Sequence, residues 1–458
     1  MHLVVVGGSD AGIAAALRAR EVDPTADIEV VLADAFPNFS ICGLPYLLSG
    51  EVRDWQALAH RSRAELERFG LRLTLEATVH GIDPAGRTLL AAGPGGREAV
   101  IGWDALVVAT GAEPARPPIS GLDCPGVFVL HTMDDALRLA RALESEPQSA
   151  VIVGGGYIGL EMAEALVQRG LEVTLVERLP QVMPTVDANL ASLVSEEIAA
   201  HGGRIVFDTS VHEIGPCHGG RLSVKGDRSF EGVADVVLVA VGVRPNAALA
   251  ASAGAAIGSH GALAVDRRMA TSLPGVWAAG DCAETYHAML GRPAYLPLGT
   301  TAHKQGRTAG ENAVGGDRLF AGSVGTQVVR VFDLAAGRTG LRDLEAAGAG
   351  FDPLTVASVA PDHVAYYPGA HPLHQSVTGD RRTGRLLGFQ IAGHRLAQVP
   401  KRLDIAATAL HLGASVDGIS DLDLSYAPPF AGPWDAVQSA AQEWVSEAND
   451  PSATPNTP

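Results

Sequence analysis

Four cysteines, Cys42, Cys124, Cys217 and Cys282, stand too far apart and too irregularly for a zinc site or a disulfide framework. Any cysteine that matters therefore acts alone. Cys42 lies in Phe39-Ser40-Ile41-Cys42-Gly43-Leu44-Pro45-Tyr46, just before an expected helix that tolerates Pro45 in its first turn. A thiol there has its thiolate favoured by the helix dipole, so a lowered pKa and a reactive sulfur are expected. Cys124 and Cys217 lie in Pro/Gly-rich connections and read as inert, and Cys282, beside Asp281, reads as packing.

The elements that must hold a partner for that sulfur come as a repeat. LVVVGGSDAGIAAAL from Leu3 is an apolar strand, a glycine turn and an Ala-rich helix, and VIVGGGYIGLEMAEAL from Val151 repeats the device. Gly7, Gly8, Ser9 and Gly12 form the first turn, and Gly154, Gly156 and Gly159 the second. Such turns let a pyrophosphate rest on the free N–H groups of a helix start. A second strand follows each helix and leads to an acid, Asp34 in one copy and Glu177 in the other, suited to a ribose hydroxyl pair. Glu177 stands near the interval of roughly 20 residues expected after the glycines. Its carboxylate disfavours a 2′-phosphate, so NADH is preferred, with NADPH kept open by Arg178. Each copy ends in a strand running into glycine, at Thr110-Gly111 and at Gly242. Two such sites imply two dinucleotides.

A third element distinguishes them. Gly275-Val276-Trp277-Ala278-Ala279-Gly280-Asp281 is a strand ending in Gly-Asp, placed to set Asp281 on a ribityl or phosphate group. The chain resembles the pyridine nucleotide-disulfide oxidoreductases, flavoproteins in which the first unit with its Gly-Asp strand holds FAD and the inserted unit holds NAD(P)H. Around Cys42 it is similar to the single-cysteine branch, which includes coenzyme A-disulfide reductases, NADH oxidases and NADH peroxidases. The resemblance implies an α/β fold of two Rossmann-like dinucleotide-binding domains and a C-terminal α+β dimerisation domain. The expected bounds are 1–112 with 250–322 for FAD, 113–249 for NAD(P)H, 323–445 for dimerisation, and a disordered tail over 446–458. It implies contacts to FAD from Ser40, Val79, Gly280 and the helix start Gly299, Thr300, Thr301 and Ala302, beneath the flavin pyrimidine. Tyr157, Ile158 and Glu161 are implied at the nicotinamide nucleotide. Tyr366, Tyr367 and Tyr426 resemble tyrosines that reach the cysteine of the other subunit in coenzyme A-disulfide reductases, which implies a homodimer with its active site at the subunit interface. His303, without a visible partner, is left outside the catalytic set.

With no partner cysteine nearby, Cys42 must alternate between thiolate and a mixed disulfide or a sulfenic acid. Two departures from the branch narrow the substrate. Asp10 stands where oxidases and peroxidases commonly carry His, which weakens peroxidase chemistry, and only Arg18 and Arg20 are offered to a coenzyme A-like phosphate. The expected function is an FAD-dependent NAD(P)H oxidoreductase reducing a small disulfide, persulfide or polysulfide through Cys42. The rivals are an NADH oxidase or peroxidase acting on O₂ or H₂O₂, a ferredoxin reductase, and a flavin-bound redox sensor with little turnover. Composition agrees: 34 basic against 51 acidic residues in 458 give a net charge of −17, which argues against nucleic acid and anionic membranes as partners. With no leader or membrane segment visible, a cytoplasmic location is expected.

Overall fold

The apolar, β-branched run His2–Val6 is buried along nearly its whole length, as a strand covered on both faces must be. In the computed structural model, which describes residues 1–450, it pairs in parallel with Asp27–Val31 and with Ala105–Val108. Leu71–Thr74 and Val276–Ala278 complete a five-stranded parallel sheet. The second copy repeats this plan: Ser149–Val153 lies between Glu172–Val176 and Val236–Val239, with Arg204–Val206 and Val127–Phe128 at the edges. The repeat goes further than the glycine turns reveal. Each unit also carries a three-stranded antiparallel meander, Thr78–Asp83 to Glu98–Gly102 in one and Val211–Pro216 to Glu231–Ala234 in the other.

The chain crosses between the units on two short antiparallel strands, Ala112–Pro114 outward and Val243–Pro245 on return. Thr110 ties this crossing, donating its Oγ1 hydrogen to the Asn246 carbonyl at 2.6 Å. A boundary between 249 and 250 is therefore misplaced, since it cuts the helix Ala248–Ser252 and the crossing comes earlier.

One contact brings the ends of the first unit together. The helices Asp10–Val22 and Gly299–Ala313 lie backbone to backbone, because a Cβ on Gly306 would stand 2.1 Å from the Ala11 carbonyl oxygen and one on Gly310 2.0 Å from that of Ala15. Only glycine permits this approach. It sets two helix N-termini side by side.

The C-terminal unit is an antiparallel five-stranded sheet in the order Gln327–Val331, Leu334–Gly340, Leu386–His394, Pro372–Asp380, Pro353–Pro361, the α+β arrangement expected. Helices Val399–Leu412 and Ala436–Ala448 bury Leu403, Leu410 and Trp444 together with Leu373 and Phe389 of the sheet. The last helix, begun by a capping box between Asp435 and Gln438, corrects the expected tail: residues 446 to 448 are helical. From 451 onward that tail lies outside the described residues. Among the described residues no helix is long and apolar enough to cross a membrane.

Candidate active site

Cys42 sits in a single 3₁₀ turn, Ile41–Gly43, ahead of the helix Leu44–Ser49, with solvent reaching its side chain. The turn is held from outside: Ser40 N–H donates to the Leu58 carbonyl at 2.8 Å, and a Cβ on Gly43 would stand 2.5 Å from the Leu58 side chain. Phe36, Phe39 and Trp55 brace it as an aromatic triad with ring centroids 5.6 Å apart. The expected lowering of the Cys42 pKa is overturned. Burial by surrounding protein and the carboxylates of Asp10, Glu161 and Asp281 push the thiol above its ordinary range. One 3₁₀ turn supplies little dipole, and three nearby negative groups outweigh it.

Those three carboxylates define the site, because each comes from a different element. Asp10 opens the first unit's helix, Asp281 follows the strand Val276–Ala278, and Glu161 lies on the second unit's helix Tyr157–Gln168. Burial and Asp10 push Asp281 up to about 6, and burial and Glu164 push Glu161 up to about 7. Glu164 is itself buried, accepting from Phe332 N–H at 2.9 Å and from Arg330 at 2.8 Å. Arg330 also pairs with Glu51 and lies 5.0 Å over the Tyr46 ring. A strand of the third unit, Gln327–Val331, thus fixes the helix carrying Glu161 against the helix that follows Cys42.

The first unit fits FAD. Gly7 has φ +113°, and a Cβ on Gly12 would stand 1.9 Å from the Gly7 carbonyl, so the turn is a backbone-only cradle. A Cβ on Gly8 would strike Leu32. No side chain caps the helix starts at Ser9 or Leu298, leaving amides of the first helix and of Gly299, Thr300, Thr301 and Ala302 for anionic oxygens. The Asp281 carboxylate makes no hydrogen bond among the described residues, although enough protein surrounds it to raise its pKa. Asp34 accepts from Phe36 N–H at 2.8 Å with one oxygen and keeps the other free, three residues beyond the strand end at Val31. Val79 lies at the edge of this unit's apolar core.

In the second unit Gly154 has φ +110°, and a Cβ on Gly159 would stand 1.9 Å from the Gly154 carbonyl, the same cradle again. Gly156 starts the helix without a side-chain cap, and Ile158 is half-buried in its first turn. Tyr157 hydroxyl lies 3.3 Å from Thr185 Oγ1, burial raising its pKa. Glu177 is buried and accepts from Gly155 N–H at 2.6 Å and Leu179 N–H at 2.9 Å. It stabilises the glycine turn before it meets any ribose. Gly111 and Gly242 take positive φ shortly after the strands Ala105–Val108 and Val236–Val239, where the chain leaves each sheet.

Tyr366 and Tyr426 come together, and the Tyr366 hydroxyl raises the Tyr426 phenol. Tyr367 instead sets its ring edge-on to His363 at 5.6 Å. All three are exposed, and so are Phe430 and Trp434, which follow Tyr426 closely in sequence.

Sequence reasoning missed several residues. His303 does have a partner, Asp10, at 3.3 Å. Gln305 is fully buried; it accepts from Gly280 N–H at 2.9 Å and donates to the Glu284 carbonyl and Thr285 Oγ1 at 3.0 Å, fixing the Gly-Asp turn. The Gly306 and Gly310 spacing in the helix was a legible sign of close packing. Glu164 and Arg330 had no local sign, being far apart in the chain.

Comparison with known proteins places this geometry. Residues 1–306 match the family described as pyridine nucleotide-disulphide oxidoreductase, and residues 326–437 match its dimerisation domain. The chain is 35% identical over 445 residues to an NAD(P)H sulfur oxidoreductase (CoA-dependent) of Pyrococcus furiosus, covering 95% of this chain and 97% of that one. It is 30% identical to an NADH oxidase of Methanocaldococcus jannaschii, covering 98% and 100%. It superposes on a NAD-dependent persulfide reductase from A. fulgidus with a TM-score of 0.93 at 36% identity, covering 97% of this chain and 83% of that one. The family is FAD-dependent and uses NAD(P)H. With two glycine-turn units meeting at one unpaired cysteine and a dimerisation domain behind them, the chain belongs to the pyridine nucleotide-disulphide oxidoreductase family.

Proposed function

We propose that this protein is an FAD-dependent NAD(P)H oxidoreductase that reduces a small disulfide, persulfide or polysulfide at Cys42. The observation that carries the reading is the convergence of Asp10 and Asp281 from the first unit and Glu161 from the second on one solvent-reached, unpaired thiol. Cys42 thiolate attacks a substrate sulfur, forming a Cys42–S bond as the substrate S–S bond breaks and a thiolate leaves. Bound FAD would supply the two electrons of NAD(P)H to the resulting mixed disulfide; its S–S bond then breaks, Cys42 returns as thiolate and the second thiol leaves with one proton. Glu161, poised at about 7, holds a proton within electrostatic reach of this exchange near neutral pH. Asp34, Ser40, Val79, Thr110, Gly111, Gly280, Asp281 and the amides of residues 299 to 302 hold FAD. The turn from Gly154 to Gly159, with Tyr157, Ile158, Glu177 and Gly242, holds the nicotinamide nucleotide, and NADH is the better fit.

The exposed Tyr366, Tyr367 and Tyr426 complete the Cys42 site of a second copy in a homodimer, where a phenol protonates the leaving thiolate. The four unpaired thiols support a reducing, cytoplasmic setting. The second reading, an NADH oxidase using O₂, rests on the M. jannaschii relative. Anaerobic NADH consumption with disulfides, polysulfide and persulfide, compared with O₂ and peroxide alone, separates the two. Faster turnover on a sulfur acceptor supports the proposal, and faster turnover on O₂ with none on sulfur overturns it.

A further inference from the structure

Asp10, His60 and His303 meet beside the Cys42 turn, their ligand atoms all within 4.8 Å of one another. They come from three elements: Asp10 from the first helix, His303 from the helix packed on it, and His60 from the loop pinned to the Cys42 segment by its N–H donating to the Asn38 carbonyl at 3.0 Å. We propose that these three side chains form a binding site for a divalent transition metal of the zinc type, with the fourth coordination position open.

The contact between Asp10 and His303 is an ion pair without an aligned hydrogen bond. Asp10 Oδ1 is buried and has no aligned hydrogen-bond partner, although His303 Nε2 stands 3.3 Å away. That separation matches the edge of a tetrahedron, about 3.3 Å for ligands about 2.0 Å from zinc. The oxygen and nitrogen are therefore spaced as two ligands of one ion would be. His60 makes no side-chain hydrogen bond among the described residues, and its ring lies 6.3 Å from that of His303 and nearly perpendicular to it. Two imidazoles and one carboxylate suit Zn²⁺, Co²⁺ or Ni²⁺, whereas Mg²⁺ and Ca²⁺ require oxygen ligands throughout.

A second cluster with the same ligand types, Glu197, His201 and Asp333, is already spent. Asp333 is held by Arg395 at 2.8 Å, and Glu197 accepts from Asp333 N–H at 2.9 Å. In the first cluster, among the described residues, no arginine or backbone amide is hydrogen-bonded to Asp10 Oδ1 or to the imidazoles of His60 and His303.

The site is tested on the FAD-loaded enzyme by titration calorimetry with Zn²⁺, with Cys42→Ser run in parallel because a thiolate also binds zinc. The expected result is one Zn²⁺ per chain in both proteins and an affinity at least ~10-fold weaker in His60→Ala and in His303→Ala. Anomalous scattering at the zinc edge should place the ion between the three side chains. Binding unchanged in the double variant His60→Ala/His303→Ala, or lost in Cys42→Ser alone, overturns the proposal.

Discussion

The two glycine-turn units share one plan and are finished differently. In the first, the helix Asp10–Val22 is covered by Gly299–Ala313 through the contacts at Gly306 and Gly310, so two uncapped helix starts face one space. In the second, the helix Tyr157–Gln168 packs on Leu44–Ser49, the helix behind Cys42, and on the strand Gln327–Val331. The paired acids differ as well. Asp34 keeps an oxygen free, whereas both oxygens of Glu177 are bound to backbone amides. One copy has its helix start enclosed beside a second one, and the other presents a single helix start, the difference expected if, as proposed, the first retains FAD and the second exchanges the nicotinamide nucleotide.

Breaking the enclosure should give the largest effect. Gly310→Leu forces a side chain into the Ala15 carbonyl, and we expect an FAD-free protein with stability lowered by about 3 kcal/mol or more, read from bound flavin absorbance and thermal melting. The matching insult to the second unit, Gly159→Val, should leave FAD bound and raise KM for NADH by ~100-fold or more. Loss of flavin from that variant would dissolve the distinction. Glu177→Ala removes the acceptor for two amides and should raise KM for NADH about 10-fold while narrowing the gap to NADPH, as steady-state kinetics with both nucleotides would show.

The last effect concerns Glu161 and appears only as a dependence on pH. Its folded pKa of about 7 lies above its unfolded value, so the native state binds the extra proton. Its contribution to stability is present below the unfolded pKa and fades as pH rises through about 7. In cofactor-free protein, Glu161→Gln should flatten the decline of stability between about pH 5 and pH 7.5, by ~3 kcal/mol at most, measured by denaturant unfolding.

What was legible in the sequence was whatever neighbours in the chain decide. Both glycine turns, their following acids and the lone Cys42 were readable because strand, turn and helix are consecutive. The pairing of Arg330 with Glu164, the meeting of Asp10 with His303 and the clasp of Gly280 by Gln305 join distant segments and left no local mark. The Cys42 pKa shows the same limit in one residue. A local rule about helix starts gave the wrong sign, because carboxylates from three other elements surround the thiol. The expected start of the tail at 446 was set too early by composition: Ser446 and Glu447 are polar, yet Trp444 and the capping box at Asp435 carry the helix through them to Ala448.

The central claim is that electrons leave the protein through Cys42. Stopped-flow spectroscopy of the FAD-loaded Cys42→Ser variant tests it directly, first with NADH under anaerobic conditions and then with a disulfide or persulfide. The account predicts that NADH bleaches the flavin as in the wild type, and that reoxidation by the sulfur substrate slows by at least ~1,000-fold. Reoxidation at the wild-type rate without the Cys42 sulfur would contradict it.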